Sequence, residues 1–194
     1  MKDIVSSIEN LSTDPEKIKL FRSYGTMVVL KNMGKVTGGL DKEYMAFLME
    51  TNGASILDYC FLGFKNRELG LNLYENVMDF WQADNSLAMK FWAFAGTSAG
   101  DAFGYLDLKN KKGSHFIAYY TPDQPEQVTV ISSCFELFMR KFITEIQILI
   151  QANDDSFWIE DNTWMTSQEG SSVDDVELRD FLATNGSAYY KLIG

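Results

Sequence analysis

Histidine, cysteine and proline are scarce in this chain of 194 residues, which holds one, two and three of them. A lone histidine excludes a multi-histidine zinc site, and Cys60 and Cys134 are too far apart in sequence to form a metal-binding pair motif. Both cysteines sit in apolar runs, where a buried, inert thiol is the usual outcome. No run approaches 18 apolar residues, and the opening MKDIVSSIENL lacks the apolar centre of a signal peptide. The expectation is a cytoplasmic protein with no membrane span. A phosphate-binding loop is also missing: Gly96, Gly100 and Gly104 recur every four residues, which fits neither the dinucleotide nor the Walker spacing. A Ser-His-Asp arrangement would rest wholly on His115, which opens an apolar strand and has no nucleophile elbow nearby. Asp101 and Asp107 would lie about 20 Å apart in extended chain, too far to act as an acid/base pair. No catalytic residue, cofactor or metal is expected.

Positive charge is short as well. Seventeen Lys and Arg face 27 Asp and Glu, for a net charge of −10. Residues 152–194 carry nine acids against Arg179 and Lys191, a net of −7, while the preceding 151 residues carry only −3. Such a chain repels nucleic-acid phosphates and attracts basic protein surfaces.

Apolar residues are plentiful at 46%, with aromatics at 14%, and the length suits one domain that buries roughly 70% of its unfolded surface. The stretch FWAFAGTSAGDAFGYLDL, Phe91 to Leu108, reads as two strands joined at Ser98-Ala99-Gly100-Asp101, with Phe91, Ala93 and Ala95 alternating with Trp92, Phe94 and Gly96. Gly100-Asp101 is a turn, and the other glycines serve close packing. Further strands are expected at His115–Tyr120 and Gln127–Ile131, separated by the exposed loop TPDQPEQ.

Helical spacing predicts a first helix over Lys2–Leu11 and a second opened by Asp14-Pro15, bearing Ile18, Phe21 and Tyr24. Met27 to Leu30 reads as a short strand or a buried loop. A helix begins at Asp41, buries Tyr44, Phe47 and Leu48, and stops at a left-handed Asn52-Gly53. Asn72 and Glu75 form a capping box for a helix turning Tyr74, Val77, Met78 and Trp81 inward. Ser133 and Glu136 form another on the strongest helix, whose stripe of Phe135, Phe138, Met139, Phe142, Ile146, Leu149 and Ile150 is built to lie on a sheet. Ser172 starts a last short helix, ended by Asn185-Gly186.

The densest acidic run carries Asp154, Asp155, Glu160 and Asp161 with Phe157, Trp158 and Trp164 among or beside them. Acidic runs are ordinarily solvated faces. Aromatic anchors beside charges suit a specific interface, so these seven residues are the candidate partner-binding set.

Three motifs occur in one order: LDKEYMAFLMETNGAS, then AGD followed by an aromatic and YLDL, then the strand Phe116–Tyr120 with VTVISSCFELFMRKFI. Together they resemble the SUKH superfamily of Smi/Knr-like domains, over residues 38–151. The resemblance implies an α+β fold: a single domain with a twisted, largely antiparallel sheet and helices packed on one side. It places a Smi/Knr-like domain at residues 1–151 and leaves 152–194 as an acidic C-terminal extension. Asn52, Gly53, Gly100, Asp101, Asp107, Ser133 and Phe135 match family motif positions and read as fold determinants. The resemblance also implies a non-enzymatic protein-binding role. The first reading is an immunity protein that neutralises a cognate toxin, possibly a nuclease, whose basic domain would be the partner. The alternative is a regulatory or scaffold adaptor without a toxin.

Overall fold

A computed structural model describes residues 1–33, 42–64, 72–152 and 174–192. Among them, α1 (Lys2–Glu9), β1 (Ile18–Arg22), α2 (Thr26–Met33), α3 (Lys42–Glu50), β2 (Thr51–Ile56) and β3 (Tyr59–Phe61) come first. They are followed by α4 (Leu73–Ala83), a 3-10 turn (Asn85–Leu87), β4 (Phe91–Gly96), β5 (Ala102–Lys109), β6 (His115–Tyr120) and β7 (Gln127–Ser132). Helix α5 (Phe135–Ala152), helix α6 (Val176–Asn185) and strand β8 (Tyr189–Lys191) complete the order. The eight strands form one sheet in chain order, every neighbouring pair antiparallel, with helices packed on one side. This is the α+β architecture expected from the motifs.

The core is aromatic. From α5, Phe135, Phe138 and Phe142 lie buried against the sheet, and from α3, Tyr44 and Phe47 meet them. Phe94 of β4 sits at the centre, with ring centroids 5.0 Å from Tyr105, 5.3 Å from Phe135 and 5.6 Å from Phe138. The hairpin β4–β5 forms as read, its turn closed by Thr97 N–H on the Asp101 carbonyl at 3.0 Å. Its alternation is not strict, however. A bulge between Ala93 and Ala95 leaves Phe94 opposite no single partner. Gly104 faces Phe91 so closely that a Cβ would stand 2.5 Å from its ring, which only glycine tolerates.

The structure revises several local expectations. The segment after Asp14-Pro15 is strand β1, not helix, because Ile18 to Leu20 pair with Ile56 to Ala54 of β2. A bulge between Leu20 and Arg22 breaks the alternation, so both Ile18 and Phe21 are buried at a spacing that mimics a helix. Met27 to Leu30 belong to helix α2, and of these only Val29 is buried. On α4, Leu73, Val77 and Trp81 face inward while Tyr74 is exposed; Asn72 Oδ1 caps it by accepting Tyr74 N–H. At the start of α5, the Glu136 N–H that a capping box would give to Ser133 goes to the Glu43 carboxylate of α3, at 2.7 Å.

Asn52-Gly53 does not cap α3. The helix runs directly into β2, which contains both residues. Gly53 has φ +90°, and a Cβ there would lie 2.3 Å from the Phe61 carbonyl oxygen. Asn52 is buried and clamps the Phe64 backbone: Nδ2 donates to the carbonyl and Oδ1 accepts the N–H, both at 2.9 Å. The similar Asn185-Gly186 does stop its helix, with Gly186 left-handed and its N–H on the Leu182 carbonyl.

Candidate protein-binding surface

The described part of the C-terminal region, 174–192, is tied to the sheet. Asp175 does the joining. Its carboxylate is buried, with Oδ1 accepting Leu178 N–H at 3.0 Å to cap α6. Oδ2 accepts Ser132 Oγ–H at 3.0 Å and Ser133 N–H at 2.9 Å, and lies 3.5 Å from Lys141 Nζ on α5. Lys141 Nζ also donates to the Ile131 carbonyl at 3.1 Å. Burial alone would raise the Asp175 pKa, but the Ser133 hydrogen bonds and the Lys141 charge hold it below its ordinary value. Burial lowers that of Lys141 despite the Asp175 charge. The helix cap of α6 is therefore Asp175, three residues beyond the expected Ser172, which lies outside the described residues. After Gly186 the chain returns as β8, pairing Thr129 with Tyr189 and Gln127 with Lys191, and Lys90 Nζ donates to the Leu192 carbonyl.

Above this staple lies a cleft of about 490 Å³ between the β5–β6 turn and the starts of α5 and α6. Five of its described lining residues are acids, Glu43, Glu136, Asp174, Asp175 and Glu177, against one base, Lys112. A second hollow of about 370 Å³ follows the next turns of α6 and adds Asp180 and the half-buried Phe181. Val176, 51% exposed, is an apolar knob on the cleft rim. Some of the acids already hold cations: Arg140 pairs with Glu136 at 2.8 Å, Arg179 with Asp174, and Lys111 with Asp180 at 2.5 Å. Both partners are exposed in each of these pairs, so solvent screens them and each yields readily to a better-placed incoming cation. The Lys111 hydrogen bond lowers the Asp180 pKa and raises that of Lys111. What the arrangement can do is receive Lys or Arg side chains from a basic surface beside a small apolar contact.

The seven residues singled out in sequence, Asp154, Asp155, Phe157, Trp158, Glu160, Asp161 and Trp164, all lie outside the described residues. Asp174, Glu177 and Asp180 belong to the same acid-rich region, but nothing in their local spacing distinguishes them from a solvated face. Glu43 and Glu136 come from elements far away in sequence; only folding brings them to the rim.

Of the remaining reactive side chains, Cys134 lines the cleft, and both cysteines are half-buried. His115 is buried, its Nδ1 2.6 Å from the Leu106 carbonyl oxygen and its ring edge-on to Trp92 and Tyr105. Burial pushes the Cys60 thiol up to about 11 and the Cys134 thiol up to about 12, which keeps both protonated at neutral pH. Asp101 belongs to the hairpin turn, and Gly100 there has φ +92°.

No curated protein matches the sequence. A family model described as SMI1 / KNR4 family (SUKH-1) matches residues 38–141, from just before α3 to the second turn of α5. That span covers more than half of the 194 residues, and the chain belongs to this family.

Proposed function

We propose that this family member is a stoichiometric protein-binding module, acting as an immunity protein that covers the basic active-site region of a cognate toxin. The observation that carries the reading is the carboxylate-lined cleft at α6 beside exposed Val176. Family membership supports a protein-binding role, and the net charge of −10 supports a basic partner. Charge complementarity would speed encounter, and buried apolar contacts would slow release.

The segment bearing Asp154, Asp155, Phe157, Trp158, Glu160, Asp161 and Trp164 joins the described fold at Asp174, on the cleft rim. We include it in the proposed partner surface. Co-expression with the product of the adjacent gene tests the function: a stable complex and protection of the host are expected. Absence of both removes the immunity reading and leaves a regulatory adaptor. Trp158→Ala tests the segment, with weaker binding and an unchanged melting temperature expected. A large fall in stability would instead place Trp158 in a core.

A further inference from the structure

We propose that α2 and the end of β1 form a second docking face, opposite in polarity to the α6 cleft, for an acidic protein segment that carries apolar side chains. It stands independently of the toxin reading. Four of the nine exposed large apolar side chains of the described residues fall between positions 24 and 30: Tyr24 at 48%, Met27 at 79%, Val28 at 38% and Leu30 at 48% exposure. They follow one another on α2 and the turn before it, so they make a patch rather than a scatter.

The charge around them reverses that of the molecule. Residues 17–33 contain Lys17, Lys19, Arg22 and Lys31 and no acid, in a chain of net charge −10. Arg22 and Lys31 are exposed and enter no ion pair among the described residues.

Met, Tyr and Arg at an exposed site are the residue types that interfaces concentrate, and methionine adapts to varied apolar partners. A narrow acidic segment can engage Arg22 and Lys31 without covering the rest of the surface. An anionic bilayer is an extended plane that would also meet the acidic remainder of the surface, and an eight-residue helix gives it little apolar area. A second copy docked face to face would set Arg22 and Lys31 against their own counterparts.

The test is fluorescence anisotropy with a labelled synthetic peptide of repeating Glu-Glu-Leu-Phe, compared with its Gln-for-Glu analogue. The acidic peptide should bind the intact protein, and the analogue should bind about tenfold more weakly or worse. Met27→Asp with Leu30→Asp should weaken binding by about tenfold or more. Arg22→Glu with Lys31→Glu should do the same and flatten the salt dependence. Tyr74→Ser, at an exposed apolar side chain on α4 outside both faces, should leave peptide binding intact. Equal affinity for both peptides, or for the wild type and the α2 variants, overturns the proposal. So does attachment to phosphatidylcholine–phosphatidylserine vesicles, or self-association in sedimentation, that the α2 variants abolish while the peptide fails to bind. Circular dichroism on each variant separates loss of the face from loss of the fold.

Discussion

Asn52 and Asp175 show how much single side chains hold in place. Asn52→Ala would leave the buried Phe64 N–H and carbonyl without their side-chain partner. The expected cost is about 2–4 kcal/mol, read from urea unfolding. Asp175→Ala strands Lys141, which is 6% exposed, without a counter-charge and removes the α6 cap. The expected loss is about 3–5 kcal/mol, large against the stability of an ordinary domain. Because the folded Asp175 pKa lies below its ordinary 3.8, its carboxylate stabilises the fold fully at pH values above that. The contribution falls away as pH drops through the folded value. Asp175→Asn should therefore flatten the acid limb of the stability–pH curve below about pH 4, measured by thermal melts. An acid limb unchanged in that variant would assign it to other carboxylates. Neither role was legible in sequence. The Asn-Gly pair was visible, but the partner of Asn52 is 12 residues on. Asp175 looked like one more charge in an acidic tail.

Elements were legible where one periodicity governed them. The α5 stripe is buried from Phe135 to Ile146, and Phe138→Ala should cost about 3–5 kcal/mol, since it touches Phe94, Phe103, Phe135 and Phe142. Guanidinium unfolding checks that value. Strand β1 and helix α2 depart from the sequence expectation for physical reasons. A bulge gave β1 a helical spacing, and α2 exposes most of the apolar residues that suggested burial. Local patterns record which residues are apolar, but pairing partners decide what those residues form. The two Asn-Gly sites make the same point, since one ends a helix and the other lies inside a strand. Hydrogen exchange should reflect the sheet order: β4, β5 and β6 are flanked on both sides, while β8 is a three-residue edge. Amides of the central strands should exchange slowest and those of β8 fastest. Equal protection in β8 and β5 would contradict this hierarchy.

The whole molecule is electrostatically two-ended in composition, with an acid-rich C-terminal region and an acid-free basic segment near its start. If the α6 cleft receives a basic partner, the association rate should fall steeply with added salt. The triple variant Asp174→Lys, Glu177→Lys and Asp180→Lys should slow association by about tenfold with little change in melting temperature. Stopped-flow mixing reads the rate, and a salt-independent rate would remove steering from the account. The sheet order has a further consequence, for synthesis. Strand neighbours are chain neighbours, so the growing chain can add β1 to β7 in sequence as each segment leaves the ribosome. Lys141 is made with α5, but its counter-ion Asp175 emerges only 34 residues later. Until then the nascent sheet carries a cation that resists burial at the end of β7. The segment bearing Asp175 thus completes the fold by neutralising that cation, and chains released before Asp175 are the ones a protease would remove first.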